Sequence, residues 1–232
     1  NVSSSFVPTT GLVYDDSSDP NSGRSAEPTR GLQKEVGVKY QLPGTESLIT
    51  ASLFDIRQED GVVFQTVDPA TFNGLNQVQV PYDLRSRGLE IEGQFNFANG
   101  LRVTSAYTYL DMEIDAGSTG TVGNQLSATP HHTASIWGFY EPQSGAFKGF
   151  GFGAGLRYVG ESYGDDANTY KNDAEVFADL SLSYDFGEVG YDGLSAQINV
   201  KNVFDNTDQT CSADYCYRYE GRTATASVSY RF

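Results

Sequence analysis

Apolar and polar residues alternate along much of this chain, in runs about as long as one β-strand. In residues 89–97 (LEIEGQFNF) the odd positions are apolar or glycine and the even positions are polar. A period of two gives each strand one apolar and one polar face. The same alternation recurs in residues 101–109, 150–158, 176–186, 194–201 and 224–232. The pattern predicts an all-β chain of many strands.

The length of these runs suits a membrane. Each run has about ten residues, which is what a tilted strand needs to cross a bilayer. No stretch has the roughly 20 uninterrupted apolar residues that a spanning helix requires. The 25 Gly, 15 Tyr and 14 Phe among 232 residues are typical of strands joined by many turns.

A soluble β-sandwich would alternate as well, but the charges favour a transmembrane antiparallel β-barrel. Full charges stand in mid-strand on the polar face, where a dry core would exclude them and a wet lumen or a polar plug would not. These residues are Glu90, Glu92, Arg102, Arg157, Asp179 and Lys201.

Aromatic residues and connections support the same choice. Aromatic residues gather near the ends of the runs, as they do at membrane interfaces. One set is Phe97, Tyr140, Phe150, Tyr184, Phe186 and Phe232, and the other is Tyr107, Tyr109 and Tyr158. Compact turns (43–44, 98–100 and 190–193) alternate with long polar connections (8–29, 60–81, 114–129 and 162–172).

The pattern predicts about ten strands, the first running upward from Asn1 and the last downward to Phe232. The number is even, as in bacterial barrels. Residues 62–67 and 77–80 predict a hairpin outside the membrane. Residues 47–57 stay ambiguous, because Leu53, Phe54 and Ile56 place apolar groups on both faces of one run.

The charge balance excludes one class of function. The formal net charge is −15, and no run of Lys or Arg forms the basic face that a nucleic-acid binder needs. We interpret the acidic clusters as solvated loops and not as a Ca²⁺ site, because the alternating Asp/Asn and distal Glu of such a site are absent. The clusters contain Asp15, Asp16, Asp19, Asp165 and Asp166.

Few other residues suggest chemistry. Cys211 and Cys216, the two cysteines, predict a small disulfide in an oxidising compartment. A metal pair is the weaker alternative, because it would be an incomplete site. His131 and His132 should point to opposite faces of a strand and so not grip one ion. Trp137 is interpreted as a wall or girdle residue.

Several segments, in this order, resemble TonB-dependent siderophore receptors, and most of all their ferrichrome and ferrioxamine (hydroxamate) branch. The segments are SFVPTTG (5–11), EPTRG with EVGVKYQLPG (27–44), RSRGLEIEG (85–93), AYTYLDMEI (106–114), GLRYVGESYGDDANTY (155–170), NVKNVFDN (199–206) and GRTATASVSYRF (221–232). The resemblance covers essentially the whole chain. It departs from the family at Lys34, where an aromatic residue is usual, and at Ser212, where the branch has a ligand-contacting aromatic residue.

The resemblance implies a barrel of about 22 strands around an N-terminal plug, in the outer membrane of a Gram-negative bacterium. Residues 1–232 would then be the C-terminal part of the barrel. The plug, its TonB-contacting box and about twelve strands would lie upstream, which agrees with a start that has no Met or signal peptide. The implied partners are a ferric siderophore, TonB through the upstream part, and outer-membrane lipid.

Transport of this kind is binding plus gating, so we expect no catalytic residue, no metal site and no cofactor. An outer-membrane hydrolase would need a Ser/His/Asp or paired-carboxylate set, which we do not find. Loop aromatic residues are the predicted ligand contacts, because a siderophore complex is bulky, partly apolar and rich in acceptor oxygens. They are Tyr14, Phe72, Tyr163, Tyr170, Tyr215, Tyr217 and Tyr219. The competing interpretation is that each ring only packs its loop.

Two further expectations complete the sequence analysis. The terminal run with Val228, Tyr230 and Phe232 predicts an assembly signal for the barrel-insertion machinery, because the family ends on an aromatic residue in this register. The alternative function is a passive porin, or a small stand-alone barrel of about ten strands that acts as a channel or adhesin. Such a barrel would pair its first strand with its last, whereas a piece of a larger barrel would form an open arc.

Overall fold

The computed structural model describes residues 1–118, 120–212 and 215–232. It is built almost entirely of strands, as the alternation predicts. In chain order they are β1 (Val2–Val7), β2 (Leu12–Tyr14), β3 (Gly23–Ser25), β4 (Thr29–Gln41), β5 (Leu48–Glu59), β6 (Val62–Thr66), β7 (Gln77–Pro81), β8 (Asp83–Asn96), β9 (Leu101–Ala116), β10 (His132–Tyr140), β11 (Phe150–Val159), β12 (Ser162–Tyr163), β13 (Lys171–Asn172), β14 (Glu175–Asp185), β15 (Leu194–Lys201), β16 (Gln209–Ser212), β17 (Tyr215–Arg218) and β18 (Thr223–Tyr230). A 3₁₀ turn, Phe186–Val189, follows β14.

Ten strands form one antiparallel sheet in the order β1-β4-β5-β8-β9-β10-β11-β14-β15-β18. Each strand pairs with the next long strand of the chain, so the sheet is a simple meander. The prediction of about ten strands is confirmed. We call the edge with the long connections the loop end and the opposite edge the turn end. At the turn end, Gly100 and Gly193 have φ of 89° and 78°, and a Cβ on either would lie within 2.2 Å of a backbone oxygen.

The register separates an inner from an outer face. Directly paired residues share a face, so Thr50, Glu92, Ala106 and Ser135 line one side of β5, β8, β9 and β10. These residues, with others from β11 and β14, surround a single cavity of about 430 Å³. Side chains from strands this far apart in the sheet can line the same cavity only on the side towards which the sheet curves, its concave side. The polar face is therefore the inner face, as predicted.

The outer face is apolar through the middle of the sheet. Its residues include Val36, Val38, Leu53, Leu89, Ile91, Ile136, Leu156, Leu180 and Val228, and they are exposed or half-buried in this chain. We call them the apolar belt. Aromatic residues border it at both ends, with Tyr107, Tyr109 and Tyr158 towards the loop end and Tyr140, Phe150 and Tyr184 towards the turn end. The predicted girdles are thus on the outer face.

Near the loop end the two faces exchange polarity. Leu53 and Leu89 pair on the outer face, and the next outer pair, Asp55 and Arg87, is charged. Over the same rise the inner face becomes apolar, with Phe54 opposite Gly88 and Leu84 opposite Ile114. The exchange explains why residues 47–57 have apolar groups on both faces. The first part of β5 has its apolar residues on the outer face, and the part near the loop end has them on the inner face.

The sheet is an open arc. Among the described residues, β1 and β18 lie at the two ends of the strand order and do not pair with each other. A closed ten-stranded barrel would need that pairing. Of the two outcomes that the sequence analysis allowed, the arc of a larger barrel is the one observed.

The first two long connections fold together above the wall. Strands β6 and β7 pair as the predicted hairpin, with Val62 opposite Pro81, and they extend into a four-stranded sheet with β2 and β3. The small core of this sheet contains Phe72, Val78 and Val80, each at most 4% exposed. The loop end therefore has an apolar core of its own.

Helices contribute little. Within the residues that the structure describes, no helix has the length and apolar character needed to cross a membrane.

Candidate ligand-binding site

The inner wall begins with a polar surface in the middle of the sheet. Glu92, Gln94, Thr104 and Ser135 line the 430 Å³ cavity, and Trp137 lines it as well. The Trp137 ring covers Gly153 and Gly155, where a Cβ would come within 2.4 Å of ring atoms. Glycine on β11 therefore makes room for the indole, which is a wall residue and not a girdle residue.

One ion pair lies between this wall and the loop end. Arg157 on β11 donates to Asp179 on β14 through Nε and Nη2, at 2.8 and 3.2 Å. The Asp179 carboxylate also accepts the backbone N–H of Asn202 at 2.8 Å. The fork geometry of a guanidinium on a carboxylate fixes both side chains. The pair therefore joins the inner wall to the start of the last loop.

A second cavity of about 470 Å³ lies beyond this ion pair and shares both of its residues. The Arg157 guanidinium lies 5.1 Å from the centre of the Phe177 ring. Tyr219 packs edge-on against the same ring at 5.0 Å. Lys201 also lines the cavity. Cations beside aromatic faces can receive a ligand that is partly apolar and partly anionic.

Asp166 ties the second, third and fourth long connections together. Its carboxylate accepts hydrogen bonds from the Tyr82 hydroxyl at 2.9 Å and the Ser127 N–H at 3.0 Å. Its carbonyl accepts one from Asn124 at 2.9 Å. Burial raises the pKa of the Tyr82 hydroxyl, and the hydrogen bond to Asp166 raises that pKa further. The half-buried hydroxyl therefore stays protonated and keeps donating.

Neighbouring residues reinforce this tie. Asn168 donates to the Gln125 carbonyl at 2.8 Å and accepts the Gln125 N–H at 3.0 Å. Burial acts to raise the pKa of Asp165, but hydrogen bonds from the Thr169 hydroxyl and from backbone amides outweigh it and hold that pKa below its usual range. Several of the acidic residues that we interpreted as solvated thus organise the loops.

Two buried asparagines attach the last loop. Asn172 donates to the Cys211 carbonyl at 2.9 Å and accepts the Cys211 N–H at 2.7 Å. Asn202, 3% exposed, donates to the carbonyls of Asn206 at 2.7 Å and Glu220 at 2.8 Å. Its φ of 50° is a left-handed value that asparagine tolerates better than most residues. The four later loops are therefore one connected hydrogen-bonded unit.

The predicted ligand contacts fall into three groups. Tyr14 and Phe72 pack edge-on at 5.5 Å in the loop core, and Phe72 is 2% exposed, so its ring offers no surface to a ligand in this conformation. Tyr163 lies under the Lys171 ammonium, and the Tyr170 hydroxyl donates to the Gly164 carbonyl at 2.8 Å. These four rings support the loops.

The other three lie in the last loop. Tyr215 and Tyr217 are 68% and 61% exposed on β17, and Tyr219 lines the second cavity. Residues two apart on a strand point the same way, so Tyr215 and Tyr217 present their rings together. These three rings are exposed or line a cavity, and Tyr170, 36% exposed, also keeps part of its ring open to a ligand.

The disulfide prediction is confirmed. Cys211 and Cys216 are directly opposite each other on β16 and β17 and form a disulfide. Ser212, the position that departs from the hydroxamate branch, pairs with Tyr215 on the same hairpin.

The two histidines are engaged separately. The Nδ1 of His131 lies 2.9 Å from the Leu110 carbonyl, and the Nδ1 of His132 lies 2.9 Å from the Tyr107 hydroxyl. No group of three or more His, Cys, Asp or Glu side chains suited to a metal ion occurs in the described part of the chain.

At the C-terminus, Val228 and Tyr230 lie on the outer face of β18, opposite Ala196 and Leu194. Tyr230 and Phe232 have ring centres 6.3 Å apart. Their role as an assembly signal stays a prediction.

Sequence reasoning missed the residues that position the site. Asn172 and Asn202 carry no alternation signal, because each lies at a strand end. The sequence did mark Arg157 and Asp179 as mid-strand charges, but not as partners, because only the β11–β14 register brings them together. Phe177 is an apolar residue at an odd position in a run whose even positions form the apolar face. That exception to the alternation was the available clue that Phe177 lies on the polar inner face.

Comparisons with known proteins agree with this architecture. Residues 1–203 match the family described as TonB dependent receptor-like, beta-barrel. The ferrioxamine B receptor of Salmonella typhimurium (strain LT2) is 32% identical over 214 residues, which are 91% of this chain and 29% of that receptor. The ferrichrome outer membrane transporter/phage receptor of Escherichia coli (strain K12) is 31% identical over 227 residues, which are 94% of this chain and 29% of that protein.

The fold has solved counterparts too. The ferripyoverdine receptor of the outer membrane of Pseudomonas aeruginosa bound to ferripyoverdine superimposes with a TM-score of 0.74 at 22% identity, over 99% of this chain and 30% of that one. The chain thus spans less than a third of the length of these relatives. With residues 1–203 matched, the chain belongs to the TonB-dependent receptor β-barrel family and is a C-terminal barrel portion from a Gram-negative outer membrane.

Proposed function

We propose that the intact protein is an outer-membrane receptor that binds a ferric siderophore from outside the cell and imports it with energy delivered by TonB. Residues 1–232 would form the C-terminal part of its barrel. The upstream part would supply the remaining strands, the plug and the TonB-contacting segment. The loop end would face the exterior.

The observation that carries this proposal is the continuity of the inner face. The polar cavity at Glu92 and Trp137 meets the second cavity at the Arg157–Asp179 pair, and that cavity lies at the loop end. Tyr219 lines it, and the exposed rings of Tyr215 and Tyr217 stand on the same loop. A ligand captured by the loops would thus have a path along a polar wall.

We propose a hydroxamate siderophore as the ligand class. The support comes from the names of the relatives, which are ferrioxamine and ferrichrome receptors. The chemistry of the loop also suits such a ligand, because tyrosines offer broad apolar contact and a hydroxyl donor to carbonyl-type oxygens. Ser212 replaces an aromatic contact expected for this branch, so the affinity would depend more on Tyr215, Tyr217 and Tyr219.

The test is ligand binding by the intact receptor. We expect ferrioxamine B or ferrichrome to bind more tightly than a ferric catecholate of similar size in a titration of the purified protein. Tyr215→Ala/Tyr217→Ala should weaken binding about tenfold or more, because two anchoring rings are lost. Tyr191→Ala, which removes an exposed tyrosine at the turn end, is the control and should bind as the wild type does. Equal binding by both variants would contradict the proposed site.

Energy dependence separates this function from a passive porin. Uptake of radiolabelled ferric siderophore by cells with the intact receptor should stop when TonB is deleted, while binding to the cells persists. Uptake that continues without TonB would favour a passive channel.

Assembly needs its own test. We propose that Val228, Tyr230 and Phe232 form the signal read by the barrel-insertion machinery. Deleting Phe232 should reduce the inserted amount in cells far more than it reduces refolding in detergent. Equal losses would leave Phe232 as a girdle residue only.

A further inference from the structure

Successive inner positions of β11 are glycine, namely Gly151, Gly153 and Gly155. Rings from β10 lie over them. A Cβ on Gly151 would meet the Phe139 ring, and a Cβ on Gly153 or Gly155 would meet the Trp137 ring. The inner wall here is an aromatic surface laid on glycine. We call Trp137, Phe139 and the three glycines the aromatic track.

The rings of the track keep one side towards the lumen. Trp137 and Phe139 are half-buried, and Trp137 lines the 430 Å³ cavity. On the other side of β11, the glycines pair with short β14 residues, Ser183, Ser181 and Asp179. Because glycine, serine and aspartate project little from the sheet, β11 and β14 form a shallow groove beside the rings. A bulky body can lie in this groove and contact them.

Three cavities follow one another along the inner side of β14. Phe177 lines the cavity of about 470 Å³ at the loop end, and Asp179 lines both that cavity and the 430 Å³ cavity in the middle. Ser183 lines a third cavity, of about 660 Å³, at the turn end. Residues an even number of positions apart on a strand share a face, so these positions follow one line. The groove beside the track therefore runs from the loop end to the turn end.

An arginine lies at each end of the track. Towards the loop end, the Arg157 guanidinium lies 5.1 Å from the centre of the Phe177 ring. Towards the turn end, the Arg102 guanidinium lies 5.2 Å from the centre of the Phe139 ring and contacts Glu141 at 2.8 Å. The two arginine side chains are 49% and 54% exposed, so both can reach a ligand. A ligand with apolar surface and acceptor oxygens would meet a donor at each end and apolar rings in between.

We propose that the aromatic track is the part of the barrel wall along which the ferric siderophore moves after it leaves the loops. The inference rests on the proposed function and adds the route to it. The track begins at the cavity that Tyr219 and Arg157 line, so a ligand released there meets the Trp137 ring next. Apolar contact with rings is non-directional, so a ligand can slide over them without breaking fixed hydrogen bonds at each step.

The first test separates passage from capture. In cells with the intact receptor, Trp137→Ala should lower the rate of TonB-dependent uptake of radiolabelled ferrioxamine B about fivefold, which corresponds to the loss of one aromatic contact. The dissociation constant of the purified receptor should stay as in the wild type, because Trp137 lies on β10 and not in the loops. Trp137→Phe keeps a ring and should restore most of the rate. Tyr191→Ala, at the turn end and outside the track, is the control.

The second test blocks the groove in the folded protein. Ser135, exposed in the middle cavity two residues before Trp137, is changed to cysteine in a receptor with no other free thiol. A bulky maleimide on this cysteine should stop uptake and leave binding unchanged. The same label on Thr225→Cys, on the inner face of β18 and three strands from β11, should leave uptake unchanged. Because the label is added after folding, this test decides even if Trp137→Ala does not fold.

Several results would overturn the route. Trp137→Ala or labelled Ser135→Cys could import at the wild-type rate. Trp137→Ala could also lose binding and uptake by the same factor, which would place the ring in the binding site. It could instead admit a large hydrophilic antibiotic without TonB, which would show that the ring only seals the lumen against an upstream segment. Failure of the proposed function would look different, because the wild type itself would then neither bind nor import the ferric siderophore.

Discussion

The middle and the loop end of the same strands have opposite distributions of polar and apolar residues. In the middle of β5 and β8, the outer face has Leu53 and Leu89, and the inner face has polar residues such as Glu92. Towards the loop end, the outer face has Asp55 and Arg87, and the inner face has Phe54. The period of two continues through the change, so the backbone is the same and only its surroundings differ.

The change in polarity of the outer face marks the height at which the lipid ends. Lipid covers the outer face in the middle of the sheet, while water and a polar lumen lie inside. Beyond the lipid the outside is aqueous, and the inside becomes a covered core under the loops, where Ile114 is fully buried. The stability of the middle should thus depend on the bilayer, and that of the loop end on the loop ties.

The largest expected effect tests the boundary on the outer face. Ile91→Arg places a charge in the apolar belt, opposite Tyr107 and Ala51. It should reduce the free energy of unfolding in bilayers by about 2–4 kcal/mol, the cost of arginine near the bilayer midplane. Denaturant titration of the intact receptor in vesicles measures it.

The matched control lies on the other side of the boundary, at the next residue on the outer face of β8 after Leu89. Arg87→Leu should change the same free energy by less than about 1 kcal/mol, because that site faces water and its ion pairs are partly exposed. Equal costs at both sites would erase the boundary between the two regions.

The next effect isolates the loop end. Asn202→Ala removes two donors and one acceptor from a nearly buried position and places alanine at a φ of 50°. The opening free energy of the last loop should fall by about 2–3 kcal/mol. Hydrogen exchange of residues 203–222 measures the change. Asn199→Ala, on the polar wall, is the control and should leave that exchange unchanged. Loss of protection along β8 and β9 as well would mean that the two regions unfold together.

The sequence predicted the first region better than the second, for a physical reason. Between lipid and lumen, each residue such as Leu89 or Glu92 meets one of two solvents, so its polarity reports its face directly. The ten strands, the hairpin at Val62 and the girdles at Tyr107 and Tyr184 all follow from that rule. At Phe54 the alternation no longer identifies the outer face, because from there towards the loop end the apolar residues lie on the inner face.

The loop end depends on specific hydrogen bonds between residues far apart in the chain. Asp166 binds Tyr82, 84 positions earlier, and Asn172 binds Cys211, 39 positions later. Neither pairing has a local pattern, so the prediction from polarity alone, solvated loops, was incomplete for Asp165 and Asp166. Phe72 likewise looked like a ligand contact, because only the fold reveals the four-stranded sheet that buries it.

A smaller effect concerns the tip of the last loop. Cys211→Ser/Cys216→Ser opens a short covalent ring, whose closure stabilises by only about 2 kcal/mol in the chain-entropy model. We expect faster proteolysis between β16 and β17 and no change in the melting temperature of the barrel. Reduction of the wild type should reproduce the variant. A lower melting temperature of the wall would show that the tip stabilises more than its own hairpin.

The smallest effect tests the tie between the loops. Tyr82→Phe removes the 2.9 Å hydrogen bond to Asp166 and keeps the ring in place. The opening free energy of residues 120–131 should fall by about 0.5–1.5 kcal/mol, the usual net value of such a bond. The folded state raises the pKa of Tyr82, so the stability that this tie contributes is fully present below the ordinary tyrosine pKa of about 10 and is lost as the pH rises from there through the higher pKa of the folded state. Proteolysis of the loops at increasing alkaline pH should therefore accelerate in the wild type, while Tyr82→Phe, already weakened, should respond less. Tyr191→Phe, at the turn end, is the matched control. If Tyr82→Phe kept the full alkaline response of the wild type, another group would be responsible for that response. The hydrogen bond between Tyr82 and Asp166 would then not be the pH-sensitive tie between the loops.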